Sequence, residues 1–328
     1  MSRTARTGIA CIAMIGAIAL AAPIIAPHDP GRQFPDLGYA PPMRPHVFDD
    51  DGRAHKPFIY PLKLVDRLDH RFAEDRSTHV PLQWFAAGTL VTTDESHGPW
   101  LVLGADPLGR DIFARVLLGA RLSLGVSAAA AVVAILLGAM LGAVAGYLGG
   151  TADSLLMRAA DFVLVLPIIY VVIVLRATMP LVLDTGTVFW TMTVVLGLVG
   201  WPYPARGVRA VVASERRKEY AEAARALGAG PLRILLRHLL PAARGFLAVQ
   251  ITLLVPAFIL AEATLSFVGF GFAEPTPSWG VMLHEAGQAS TLYDAPWLLA
   301  PAAAIVLTVL SLHLASAGSA QPRGTENM

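Results

Sequence analysis

EYAEAARALGAGPLRILLRHLLP, residues Glu219–Pro241, is a two-helix elbow set in a chain otherwise dominated by apolar runs. Tyr220, Ala223, Ala224 and Leu227 recur at i, i+3, i+4 and i+7, which gives a short helix one apolar face. Glu219, Glu222 and Arg225 take the opposite side. Gly228-Ala229-Gly230 stops that helix, and Pro231 starts the next, because proline's fixed φ and missing N–H suit a first helical turn. The elbow lies within Pro204–Arg244, which carries nine Lys and Arg against Glu215, Glu219 and Glu222. Small residues on its apolar face leave room for a partner's groove, and its basic character also suits a loop resting on anionic lipid.

Outward from the elbow the charges thin out. The 328 residues hold 25 Lys and Arg and 24 Asp and Glu, or 15% charged, with 55% apolar. Soluble domains carry about 25% charged residues. Thirty-six of these charges fall in His28–Arg121 and Pro204–Arg244. Between them run Thr7–Ala26, Leu122–Ala152, Phe162–Leu183, Thr185–Ala205, Gly245–Ala273 and Ala295–Pro322, each nearly free of charge. A hydrocarbon core of about 30 Å takes about 20 residues of helix. The pattern predicts an all-α membrane protein with six transmembrane helices.

Loop charge sets the orientation. The short connections Pro180–Thr187 and Ala273–Pro296 hold no Lys or Arg, whereas Pro204–Arg244 has a net charge of +6. The positive-inside bias places that loop and both termini in the cytoplasm. Met1–Arg6 and the run behind it resemble a signal peptide, but five further spans obeying the loop charges favour a retained signal-anchor helix. The chain then divides into a stub and first helix (1–27), an external, periplasmic insertion (28–103), a core of five helices (104–318) containing the basic loop (204–244), and a cytoplasmic tail (319–328). The insertion is rich in Pro, Asp, Arg and His. Its Asp49-Asp50-Asp51-Gly52 lacks the alternating ligands and terminal Glu of a calcium loop, and reads as a solvated turn.

Several chemistries are excluded or disfavoured. The overall charge of +1 speaks against nucleic acid as a partner. A single cysteine, Cys11, permits no internal disulfide and no thiolate metal cluster. The three lysines, Lys56, Lys63 and Lys218, never follow glycine, so the chain has no phosphate-binding loop of the Walker type and no means of its own to bind ATP that way. His284-Glu285-Ala286-Gly287-Gln288 stops one residue short of a zinc-binding HExxH, with Gln288 where the second histidine belongs.

Inside the spans, Gly138, Gly142 and Gly146 recur every four residues, so a neighbouring helix can approach closely along one face. Arg158 and Asp161 stand i,i+3 and are expected to pair, and Pro167 is expected to kink its helix. Arg176 and Glu262 are charges within apolar runs, where each costs about 2.5–3.5 kcal/mol at mid-helix. Both lie about 25 Å along their helices from the cytoplasmic side at 1.5 Å per residue. They are expected to pair or to line the outer end of a pathway.

Glu222-Ala223-Ala224, then Gly228, then His238-Leu239-Leu240-Pro241 resembles the EAA loop of ABC-importer permeases, with His238 where isoleucine is usual. ADPLGRDIFARVLLGARLSLGVS (Ala105–Ser127) and AEATLSFVGFGFAEPTPSWG (Ala261–Gly280) are similar to segments of the dipeptide/oligopeptide permease C-type subunits. The three motifs keep order and spacing over about Gly104–Thr308. The first loop is longer than usual, and LSLHLASAGSAQPRG near the C-terminus departs from the family ending.

The resemblance implies an ABC type I importer permease bundle in a bacterial inner membrane. Two ATP-binding subunits would hold ATP and Mg, so this chain would need no cofactor. A second homologous permease would complete the pathway in the lipid bilayer, and a periplasmic solute-binding protein would deliver peptides or similar solutes. Glu219, Tyr220, Glu222, Ala223, Ala224, Leu227 and Gly228 would form the ATPase-coupling contact. The rival reading, an ion-coupled secondary transporter, calls for ionisable groups near mid-membrane, and here they sit toward the faces.

Overall fold

The computed structural model describes residues 3–67, 70–86, 88–94, 96–178, 180, 183–287 and 293–317. Its helices are α1 (Arg3–Ile25), α2 (Ile112–Leu148), α3 (Gly150–Val165), α4 (Ile168–Ala177), α5 (Thr185–Gly200), α6 (Pro202–Glu215), α7 (Glu219–Ala226), α8 (Pro231–Ile234), α9 (Arg244–Phe267), α10 (Trp279–Ala286) and α11 (Ala300–Ala317). Among the described residues, four stretches are long and apolar enough to cross a membrane: Thr4–Ile25, Ile112–Leu148, Pro231–Phe267 and Pro296–Ser316. Two bent pairs, α3 with α4 and α5 with α6, raise the number to as many as six if each pair is one span.

The breaks have local causes. The α3–α4 pair bends by 84°, at the proline expected to kink it. Leu166 sits at ψ 117, as the residue before proline is pushed out of the helical region by the Pro167 ring. The α5–α6 pair bends by 43°, where Pro202 begins a new helix. Helix therefore extends to Glu215, well into the basic stretch. The third apolar run also starts earlier than its composition suggests, since α3 is helical from Gly150 and carries Asp153, Arg158 and Asp161.

The chain forms two compact units. The first comprises Met1–Ile9, Leu124–Glu262 and Ser311–Met328, and its organising feature is the glycine stripe on α2. A Cβ on Gly138 would meet Pro204 Cγ at 2.4 Å, one on Gly142 would meet the Ala205 carbonyl oxygen at 2.3 Å, and one on Gly146 the Arg209 carbonyl oxygen at 2.6 Å. Each glycine thus admits the backbone or ring of α6. Ala205, Val208 and Val212 of α6 are buried. On its other side α6 is braced to α3: Arg209 Nε donates to Asp153 Oδ1 at 2.7 Å, and Arg206 donates to Asp161. Asp161 is therefore held by another helix rather than paired with Arg158 as its sequence neighbourhood suggested.

The second unit comprises Ala10–Ser123 and Ala263–Leu310. Among the described residues it holds a departure from the expected all-α chain, seven short strands: β1 (His46–Phe48), β2 (Ala54–Ile59), β3 (Leu62–Asp66), β4 (Arg71–Glu74), β5 (Val80–Pro81), β6 (Gln83–Trp84) and β7 (Val91–Thr92). They form an antiparallel sheet in the order β1-β2-β5 and two two-stranded ribbons, β3-β4 and β6-β7. Leu37, Met43, Ile59, Val80, Leu82 and Leu101 make their shared core. Asp49–Gly52 is the turn between β1 and β2, closed by Arg53 N–H on Asp49 Oδ1 at 2.7 Å. His28 Nδ1 lies 3.1 Å from Asp111 Oδ2, both side chains fully buried, which ties the chain leaving α1 to the residue preceding α2.

Candidate coupling elbow and a buried arginine cluster

Helix α7 opens with Glu219 and Glu222 in its first turn, where carboxylates favour the positive end of the helix dipole. It closes in a Schellman motif. Ala229 N–H donates to Ala224 O at 3.0 Å and Gly228 N–H to Arg225 O at 2.9 Å. Gly228 sits at φ +82 with no atom within 4 Å of where a Cβ would be. Its requirement is conformational rather than steric. Pro231 then occupies the first turn of α8 behind Gly230. Beyond α8 the helix widens to a π turn over Leu235–Leu239 and tightens to a 3-10 turn over Leu240–Ala243, where Pro241 offers no N–H to an α ladder.

The packing divides the predicted apolar face. Ala221 is fully buried, and Ala224 packs partly against the same cluster of Ala139 and Ala143 from α2, Val208 and Val212 from α6, and Ile234, Leu239 and Ala243. Tyr220 and Leu227 are exposed, as are Glu219, Glu222, Ala223 and Gly228. The elbow therefore seats on the glycine-packed α2–α6 pair through Ala221 and Ala224, and turns Tyr220, Ala223 and Leu227 outward. Tyr220 O–H donates to Glu215 Oε2 at 2.7 Å. Burial and this carboxylate push its phenol up to about 12. The Tyr220 and His238 rings lie 6.4 Å apart, so the histidine at the usual isoleucine position borders the elbow.

The second unit holds a constellation that pattern reading missed. Asp106 Oδ1 accepts from Leu108 N and Arg110 N, both at 2.9 Å, fixing a tight loop before α2. Arg110 Nε donates to Asp106 Oδ2 at 2.6 Å and Nη2 to Glu285 Oε1 at 2.6 Å, and Nη1 donates to Glu274. Arg115 Nη2 donates to Glu274 Oε1 at 2.8 Å and to Glu285 Oε1 at 3.2 Å. Both guanidinium groups are 2% exposed or less. The supports are equally close: the Trp279 indole donates to Val116 O at 3.1 Å and the Trp297 indole to Ala105 O at 3.1 Å. Ser278 Oγ caps α10 through Val281 N–H at 3.2 Å.

Two guanidinium charges here face three carboxyl groups, so full ionisation would leave one negative charge in excess. Burial, and then the hydrogen bond with Glu274, raise Glu285 well above the ordinary glutamate range. For Glu274, burial acts upward, but Glu285 and the two arginines overcome it and hold that carboxyl low. The two directions belong to the pair as a unit, with Glu274 favoured as its charged member and Glu285 as the one that protonates first. The same geometry gives the HExxH-like His284-Glu285 segment a different use, since Glu285 is engaged by arginines; Gln288 lies outside the described residues.

Glu262 is fully buried on α9. Arg176 lies in α4, but its side chain, and with it the expected pairing to Glu262, lies outside the described residues, as does the tail 319–328.

These features place the chain in a known class. Residues 134–320 match the family of binding-protein-dependent transport system inner membrane components, and the chain belongs to that family. It is a membrane transport subunit of the ABC type, not an enzyme. Among curated relatives it is 38% identical to the oligopeptide transport system permease protein OppC of Bacillus subtilis (strain 168) over 216 residues, covering 66% of this chain and 68% of that one. It is 41% identical to the dipeptide transport system permease protein DppC of the same organism over 217 residues, covering 66% and 65%. The Escherichia coli (strain K12) OppC is 39% identical over 216 residues, covering 66% and 69%.

Proposed function

We propose that this chain is one permease subunit of an ATP-driven importer that takes up peptides or chemically similar solutes. In this reading α3–α4 and α5–α6 are bent single spans, giving six. Both termini and the elbow face the cytoplasm, and residues 28–103 face the periplasm. A second, homologous permease shares the pathway, two ATPase subunits bind ATP and Mg, and a solute-binding protein delivers cargo. Glu219, Tyr220, Glu222, Ala223, Ala224, Leu227 and Gly228 form the coupling site, with Ala224 acting mainly from beneath as an anchor. Arg176 and Glu262 remain candidates for the outer end of the pathway.

One observation carries this reading: an outward face of Tyr220, Ala223 and Leu227 stands on a helix whose inner face is locked into the α2–α6 packing. A push on that face would reach α6 and the glycine stripe without first bending the elbow, which suits transmission between two transporter states. The test is co-purification of the ATPase subunits with this chain. Glu222→Lys should abolish it by reversing a surface charge. Gly228→Pro should do the same, because proline requires φ near −65° where φ is +82. Full retention of the ATPases by both variants would overturn the assignment.

A further inference from the structure

The longest run without Asp, Glu, Lys or Arg in residues 28–103 is Ser77–Thr93, and it contains β6 and β7. Gln83 pairs with Thr92 and Trp84 with Val91. Phe85 N–H then donates to Leu90 O at 3.0 Å and Thr89 N–H to Ala86 O at 3.0 Å, closing the hairpin. The large side chains at this tip do not turn inward: Trp84 is 57% and Phe85 79% exposed. Phe85 also sits at φ +55, a left-handed conformation that costs a bulky residue about 1–3 kcal/mol. Two neighbouring exposed rings on such a backbone mark an interaction surface.

Two hydrogen bonds fix where the tip points. Leu90 N–H donates to Ile24 O at 2.6 Å, taking up a carbonyl at the end of α1, where the helix itself supplies no donor. Thr92 Oγ1 donates to Pro27 O at 3.3 Å. Residue numbers rise together along the two segments, so going from Thr92 back to Leu90 follows the same direction as going from Pro27 back into α1. The tip lies beyond Leu90 and therefore points along α1 toward the helix interior. The span Thr4–Ile25 has 22 residues, about 33 Å at 1.5 Å per residue, against a hydrocarbon core of about 30 Å. Ile24 thus stands at the edge of the hydrocarbon, and the tip at or just inside it. Leu20 and Ile24, one turn apart on α1, are themselves exposed, so the span and the tip offer apolar surface to the same layer.

From this juxtaposition we infer that the β6–β7 tip is a membrane-surface anchor whose occupant is the lipid bilayer: Trp84 and Phe85 seat in the headgroup–acyl boundary of the leaflet at which α1 ends. Aromatic rings favour that layer, and an uncharged turn enters it without desolvating an ion. The anchor is separate from the transport role and holds whichever side of the membrane that end of α1 meets. It ties the strands of residues 46–92 to the membrane surface at a point besides the helices.

The test uses the full-length chain reconstituted alone into phosphatidylcholine. In a Cys11→Ser background, a bimane label at Phe85→Cys should be strongly quenched by phosphatidylcholine brominated on its acyl chains. A label at Gln83→Cys, two residues nearer the hairpin base, should be quenched less. Equal quenching at the two positions, or none at Phe85, would overturn the anchor. Should Phe85→Cys fail to give folded protein, hydroxyl-radical footprinting of the wild-type chain in nanodiscs of the same lipid supplies the answer. Phe48 is 64% exposed beside the acidic turn Asp49–Gly52, which hydrocarbon excludes. Exposure alone therefore predicts that Phe85 is oxidised at least as fast as Phe48. Seating in the bilayer reverses that order, with Phe85 oxidised severalfold less. Oxidation of Phe85 on a par with Phe48 would overturn the proposal. So would protection of Phe85 without bromine quenching, because protein rather than lipid would then cover the tip.

Discussion

Glu222 and Arg225 on the elbow stand in solvent, whereas Arg110 and Arg115 are buried among three carboxyl groups. The two regions use similar residues under opposite constraints. On the elbow the backbone satisfies itself through its Schellman closure, and the buried contact is made by two alanines, so Glu222 is left for water or for another protein and Arg225 spends only an exposed hydrogen bond on Arg216 O at 3.1 Å. In the cluster the side chains are the structure: a loop before α2, the segment after α9 and α10 are held to one another by charge-assisted hydrogen bonds around two buried guanidinium groups, with Glu274, 41% exposed, as the side that meets solvent. An open surface of this kind tolerates change in its own fold and depends on what docks. A closed network depends on every member being present.

The sharpest test of that contrast removes one arginine from the cluster. Arg115→Met leaves Glu274 and Glu285 facing too little positive charge in a buried site, and breaking such a pair costs about 3–5 kcal/mol. The expected outcome is loss of monodisperse protein or a large drop in Tm, with partial recovery when Glu274→Gln is added. Equal stability of wild type and Arg115→Met would mean that water reaches the cluster freely and that the contrast is false.

The next effect concerns how the elbow is mounted. Gly142→Leu places a side chain against the Ala205 backbone, where even a Cβ would lie at 2.3 Å, and overpacking of this kind costs about 1–3 kcal/mol. It should lower Tm and also reduce ATPase stimulation by transported solute, since α6 carries the elbow. A stability loss with coupling intact would show that the stripe serves packing alone.

Proton linkage ranks third. Glu285 binds its proton more tightly in the folded chain than in the unfolded one, so the native state holds the extra proton from the ordinary glutamate range upward until Glu285 itself titrates. Stability should therefore fall as pH rises through that window, by at most about 1.4 kcal/mol per pH unit. Glu274, shifted the other way, costs stability only on the acid side of the ordinary range. Tm measured from about pH 5 to 9 should decline for the wild type and flatten for Glu285→Gln; parallel curves would remove the Glu285 proton from the account.

Legibility in the sequence followed how local each feature is. Gly228 and Pro231 mark the elbow's turn because φ +82 and a helix start are demands on single residues, and Pro167 marks the α3–α4 bend for the same reason. The apolar spans are visible because transfer free energy sums along the chain. The elbow's face was only half legible: periodicity groups Tyr220, Ala223, Ala224 and Leu227, yet Ala221 is the fully buried anchor, because packing on α2 and α6 decides which side turns inward. Asp161 found Arg206 rather than Arg158 because α6 lies against α3, a fact of tertiary packing. The cluster was hidden for a stronger reason. Arg110 and Glu285 are 175 residues apart, and no spacing rule links them, although Asp106, Arg110, Arg115 and Glu274 all lie within the two motif segments. The strands of residues 46–92 are two to six residues long, too short for alternation to stand out among prolines and charges.

The smallest effect on stability should be the most damaging to function, and it separates the two regions most cleanly. Ala223→Glu and Leu227→Lys alter exposed positions on the elbow without touching Ala221 or the Schellman hydrogen bonds. Surface changes of this kind lie within about 0.5 kcal/mol, so Tm and expression should match the wild type. If the outward face receives an ATPase groove, each places a charge at the centre of that contact, where it must be desolvated without a partner. ATPase co-purification should then be lost although the chain itself is intact. Were both variants to keep their ATPases, the outward face would be a solvated or lipid-facing surface, and the elbow would resemble the cluster in being built only for its own fold.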